Sequence, residues 1–148
     1  MQLARLRDAN VIGLAGERNH DWLRSHGVVP VEYGEGQVER IRAAAGGPVA
    51  AFIDTFGGGY VQMAIEELGV APGRINTIAD FPAIDRFGVH GAGTHSIDTA
   101  PLLAELLALV AAGRLELPIA RTYPLSAVRE AFTELARRRT HGKIVLIP

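Results

Sequence analysis

The chain has 148 residues, a formal net charge of -1, 48% hydrophobic residues and 21% charged residues. That balance excludes a disordered chain and offers no electrostatic attraction toward nucleic acid or an anionic membrane surface. The absence of cysteine excludes disulfides and thiolate metal sites.

Residues 1–7 (MQLARLR) place Leu3, Ala4 and Leu6 on one helical face, and Asp8-Ala9-Asn10 is a turn. Residues 11–15 are a short apolar strand, followed by a helix over 17–26 that Gly27 stops. A strand over 28–33 is broken by Pro30, and a helix over 37–45 ends at Gly46-Gly47. Residues 49–55 (VAAFIDT) are a near-continuous apolar strand, the pattern of a strand covered on both faces. A helix over 60–68, a Pro72-Gly73 turn and a strand over 74–79 follow. Residues 81–98 are glycine-rich and aperiodic, with a short edge strand at 87–90.

The spacing then predicts an apolar helix over 101–112 with Pro101 at its start and Gly113 as its stop. A strand over 117–123, a helix over 127–138 capped by Ser126 and a strand over 143–147 complete the chain. Strands alternating with helices of this length predict an α/β fold, a parallel sheet with helices on both faces. No repeat or long linker divides the chain, so residues 1–148 are read as a single domain. No run reaches the roughly 20 apolar residues of a membrane span, and no leader precedes the first element, so a cytoplasmic protein is expected.

Open parallel sheets hold ligands beyond the carboxyl ends of their strands. Asp54 and Thr55 end one strand, and Asp80 and Phe81 follow the next. Phe56, Tyr60 and Met63 lie just beyond the first, with Tyr60 and Met63 three residues apart on one helical face. These residues compose an apolar cleft with a few polar groups, suited to a small hydrophobic substrate. Phe56, Met63 and Phe81 serve equally well as core. His90 and His95 are candidates for proton transfer or hydrogen bonding, and their spacing fits no zinc motif, so no metal is expected. Arg137-Arg138-Arg139 with His141 and Lys143 is read as a solvated helix end rather than a nucleic-acid surface.

The runs VIGLAGERN, VEYG, AAFIDTFGG, PGRINTIADF, AAGRLELPIARTYPLSAVREAF and HGKIVLIP, in this order, resemble the cofactor-domain half of the medium-chain dehydrogenases. The nearest branch is similar to the NADPH-dependent quinone oxidoreductases and enoyl reductases. The resemblance implies a truncated Rossmann-like sheet. It also implies a barrel-like domain that supplies most of the substrate site and any zinc ligands, then a first strand and a glycine-rich phosphate turn. None of these matches a stretch of the 148 residues, and Gly57-Gly58-Gly59 corresponds to ordinary post-strand glycines. In the family, Arg18, Asn19 and Tyr33 match positions that hold the adenosine 2′-phosphate of NADPH.

Without the phosphate turn the expectation is that no cofactor is bound, NADPH being the alternative. A further resemblance, to small reductase-like cyclases of actinomycete polyketide pathways, implies a cofactor-independent cyclase. Its pocket would fold a polyketide-type substrate for intramolecular cycloaddition, with Thr55, Phe56, Tyr60, Met63, Asp80, Phe81, His90 and His95 as the catalytic set. Two alternatives stand beside it. One is the nucleotide-binding half of an NADPH-dependent oxidoreductase completed by a missing domain, and the other is a non-catalytic ligand-binding or dimerisation module. The family's edge-strand pairing implies a homodimer through 87–90. In the family the first strand lies between those matched by 11–15 and 49–55, so either these two pair directly or 143–147 fills the slot, and filling is the expectation.

Overall fold

The computed structural model describes residues 1–93, 98–137 and 139–148. The chain divides into two units, Met1–Thr99 and Ala100–Pro148.

The first unit runs α1 (Gln2–Arg5), β1 (Ile12–Leu14), a 3-10 turn (Glu17–Asn19), α2 (His20–Ser25), β2 (Val29–Val31) and α3 (Gln37–Ala45). It continues with β3 (Phe52–Asp54), α4 (Tyr60–Glu66), a 3-10 turn (Pro72–Arg74), β4 (Ile75–Thr77) and α5 (Phe81–Phe87). The second unit carries α6 (Thr99–Ala111), which starts at the boundary, then β5 (Ile119–Pro124), a 3-10 turn (Leu125–Ala127), α7 (Val128–Ala136) and β6 (Lys143–Ile147).

Every strand pair is parallel, as the alternation of strands and helices requires. The pairs are separate: β1 with β2, β3 with β4, and β5 with β6. Ile12 aligns with Val29, Phe52 with Ile75, and Ile119 with Lys143. Pro30 sits inside β2 without breaking it. The Val29 N–H donates to the Val11 carbonyl at 2.9 Å, so alternation turns the proline nitrogen to the outer edge, where no donor is required.

Two apolar clusters hold the first unit. Val61, Ala64, Val70, Ile75, Ala83 and Val89 pack together around β4, α4 and α5. Val31, Val38, Ile41 and Met63 form the second, against which Ile12, Leu14 and Phe52 are packed. Val38 and Ile41 lie three apart on α3, the spacing that puts two side chains on one helix face. Glycine in the left-handed region brackets that helix, at Gly36 (φ 71°) and Gly46 (φ 62°).

Several expectations are corrected. Residues 49–55 pair only over Phe52–Asp54, and Ile53 is 70% exposed, so this strand is not covered on both faces. Residues 81–87, read as irregular, are helical, because Asp80 stands before a first turn containing Pro82 and Gly88 (φ 69°) stops the helix. The edge strand at 87–90 reduces to a single parallel bridge between Asn76 and His90. Ser126 lies within the 3-10 turn and makes no side-chain cap for α7. Direct pairing of β1 with β3 does not occur, and 143–147 pairs with β5 rather than filling a slot. Among the described residues no helix is long and apolar enough to cross a membrane.

Candidate functional site

The carboxyl ends of the strands in the first unit carry the polar groups. Asp54 ends β3 and is 2% exposed. One of its carboxylate oxygens accepts from the Phe56 and Gly57 N–H groups, each at 2.9 Å, and the other accepts from the Thr77 hydroxyl at 2.7 Å. Thr77 Oγ1 in turn accepts from the N–H groups of Ala79 (3.2 Å) and Asp80 (2.8 Å). A buried carboxylate requires this satisfaction, and here it ties the ends of β3 and β4 together. It also aims the loop over residues 55–59, where Gly57, Gly58 and Gly59 all have positive φ (82°, 67° and 89°). That loop delivers Tyr60 to the first position of α4.

Tyr60 and Met63 share a face of α4 and line an open cleft of about 280 Å³ with Tyr33, Gly34, Gln37, Gly58 and Gly59. Gln37 sits at its centre. Its amide oxygen accepts from the Gly34 N–H at 2.9 Å and lies 3.4 Å from the Tyr60 hydroxyl, while its amide nitrogen donates to Met63 Sδ at 3.1 Å. The Phe56 ring meets Tyr60 edge to face at 5.9 Å, leaving Phe56 74% exposed. The cleft falls just below the roughly 300–1,000 Å³ range of small-molecule sites, a volume for one ring rather than for a folded polyketide chain.

Of the sequence-predicted set, Tyr60, Met63 and Phe56 come together, and they do so beside Tyr33. Met63 also belongs to the core, whereas Phe56 and Phe81 are exposed. Thr55 is exposed on the loop after β3. Asp80 and Phe81 begin α5 and are not among the cleft residues. His90 bridges to Asn76, with Nε2 3.1 Å from the Gly73 carbonyl, a structural contact. His95 lies outside the described residues, as does Arg138 of the basic run. Among the described residues no group of three His, Cys, Asp or Glu side chains could hold a metal ion.

A second corner forms where β1 and β2 end. Arg18 and Asn19 lie in the turn after β1, and Tyr33 follows β2. A Cβ placed on Gly16 would stand 3.3 Å from the Tyr33 hydroxyl, so the glycine is what lets that hydroxyl rest against the backbone leading to Arg18. Adjacent parallel strands thus bring a phenol, a guanidinium-bearing turn and a close-approach glycine to one edge. Gln37 and Thr77 were not singled out by the sequence. The signal for Gln37 was its place at the first turn of a helix opening on Gly34-Glu35-Gly36, and that for Thr77 was its position three residues before Asp80.

A family model described as zinc-binding dehydrogenase matches residues 26–146. A curated relative, the mitochondrial NAD(P)H oxidoreductase RTN4IP1 of Homo sapiens, is 27% identical over 99% of this chain and 43% of its own. The quinone oxidoreductase of Coxiella burnetii superposes with a TM-score of 0.74 at 25% identity, over 98% of this chain and 47% of that one. A mycobacterial protein solved in complex with NADPH superposes with a TM-score of 0.77 at 20% identity, over 99% and 51%. The chain therefore spans less than half the length of the curated relative it matches.

Proposed function

The chain belongs to the zinc-binding dehydrogenase family, and from that premise we propose that it is the nucleotide-binding portion of an NADPH-dependent oxidoreductase. The observation that carries this reading is the corner where Tyr33 rests on Gly16 beside the turn bearing Arg18 and Asn19. In a crevice at the ends of parallel strands, such a corner suits the adenosine 2′-phosphate: Arg18 supplies charge, and Asn19 and the Tyr33 hydroxyl supply hydrogen bonds. The cleft lined by Gln37, Tyr60 and Met63 opens at Tyr33 and receives a further ring or chain portion of the ligand. NADPH, when bound, supplies the hydride. These residues bind and orient it, and the substrate-holding groups come from outside residues 1–148.

The cyclase reading has less support. The relatives matched over nearly the whole chain are described as an NAD(P)H oxidoreductase and a quinone oxidoreductase, and the cleft is small for enfolding a flexible substrate. The family's description names zinc, and among the described residues no group of three His, Cys, Asp or Glu side chains could hold it.

Trp22, the chain's single tryptophan, lies in α2, the helix that follows the Arg18–Asn19 turn, and is the fluorescence probe. Titration with NADPH is expected to quench its fluorescence saturably, with NADH at least about tenfold weaker, the worth of one charge-assisted contact. Arg18→Ala is expected to erase the difference. Equal responses to NADH and NADPH in the parent would overturn the assignment.

A further inference from the structure

Gln37 is the first residue of α3 and lines the cleft together with Tyr33, Tyr60 and Met63. A glutamine amide offers two N–H donors at one end and two oxygen lone pairs at the other. One lone pair takes the Gly34 N–H at 2.9 Å, and one hydrogen goes to Met63 Sδ at 3.1 Å. The second lone pair is approached by the Tyr60 hydroxyl at 3.4 Å, beyond the usual range of an O–H···O bond. Among the described residues the second N–H has no partner.

The Gly34 bond fixes which end of the amide is which. Turned over, the amide would set its NH₂ group against the Gly34 N–H, donor against donor. The unused edge therefore has one sense: a free donor, and beside it an acceptor held by one long contact. Its complement is a ring nitrogen that accepts next to an exocyclic amine that donates. Adenine carries that pair, and a glutamine amide binds it through two hydrogen bonds wherever the geometry allows. Hypoxanthine carries an oxo group instead of the amine, which would meet Gln37 Oε1 acceptor against acceptor. The amide cannot turn over to receive it without losing Gly34. Tyr33 and Tyr60 bring aromatic surface to the same cleft for a flat base.

We propose that Gln37 is a specificity-determining residue that selects an amino-bearing purine over an oxo-bearing one. Its Nε2 donates to a ring nitrogen of the base, and its Oε1 accepts from the exocyclic amine. The bonds to Gly34 and Met63 are kept, and only the long Tyr60 contact gives way. The inference rests on the nucleotide reading and adds to it a choice between bases.

Calorimetry on the full chain tests it by comparing NADPH with its hypoxanthine counterpart, which has the same phosphates, sugars and nicotinamide. The hypoxanthine form is expected to bind about tenfold more weakly or worse. Gln37→Leu removes both hydrogen-bonding groups and is expected to hold the two forms within about twofold of each other. Equal or reversed affinities in the parent overturn the proposal and leave the nucleotide reading standing, whereas saturable binding of neither form overturns both. A preference that survives in folded Gln37→Leu assigns the discrimination to another group and also overturns it. Should that variant unfold, the side-chain amide proton resonances of Gln37 in the parent decide. A downfield move with NADPH alone is expected, and the same move with both forms overturns the proposal.

Discussion

Residues Met1–Thr99 and Ala100–Pro148 use opposite means to hold their strands. In the first unit the paired strands are three residues long, yet Val61, Ala64 and Ile75 are wholly inaccessible to solvent. In the second, β5 and β6 are six and five residues long, yet Ala131 is the one buried apolar residue among those described there. α6, with the sequence TAPLLAELLALVA, buries none of its side chains, and Leu103, Leu107, Phe132 and Leu135 are at least half exposed. Backbone pairing is local and forms wherever two extended segments meet. Burial needs a covering layer, and only the first unit supplies one, through α3, α4 and α5. Stability should therefore follow side-chain burial in the first unit and be nearly indifferent to it in the second.

The largest effect expected is for Ile75→Ala, which empties a fully enclosed site and should cost about 2–5 kcal/mol in urea unfolding. A loss below about 1 kcal/mol would show that the core around β4 is loosely formed. Thr77→Val comes next. It keeps the shape but removes the hydroxyl that Asp54, Ala79 and Asp80 share, leaving a buried carboxylate oxygen unmatched, with an expected cost of about 1–3 kcal/mol. Phe132→Ala in the second unit should change stability by no more than about 0.5 kcal/mol despite removing a large ring. A loss like that of Ile75→Ala would break the contrast between the units.

The smallest effect concerns Arg121, whose pKa is raised above the ordinary guanidinium value by its hydrogen bond to Tyr123 and by the nearby Glu134 carboxylate. A raised folded pKa gives stability that is complete below the unfolded value and is lost only as pH climbs through the folded one. The difference in melting temperature between the parent and Arg121→Ala should thus be small and flat over about pH 6 to 9. A difference that changes sharply within that interval would point to another titrating group.

How far these features could be read in advance depended on whether the information was local. α3 and β6 were legible to the residue, because glycines bracket one and a β-branched run defines the other. Tyr60 and Met63 were legible as a pair because helical spacing alone joins them. The helix Phe81–Phe87 carried its signals in Asp80, Pro82 and Gly88, but the glycines beyond it masked the pattern. β3 was overextended because an apolar run reveals that a strand is suited to burial and not what covers it, so Ile53 was expected inside and lies outside. Gln37 was missed for a different reason. Its partners Tyr60 and Met63 are 23 and 26 residues away, and only the folded chain brings them within reach.

Pro30 shapes how this sheet can meet other molecules. Its nitrogen faces outward on β2 and offers no hydrogen to an approaching chain, while at the opposite rim His90 already occupies the backbone of β4. Runaway stacking of copies edge upon edge, the route to fibrils, is thereby discouraged at both outer margins. A protein built this way should precipitate, when overloaded, as an amorphous solid rather than as ordered fibres.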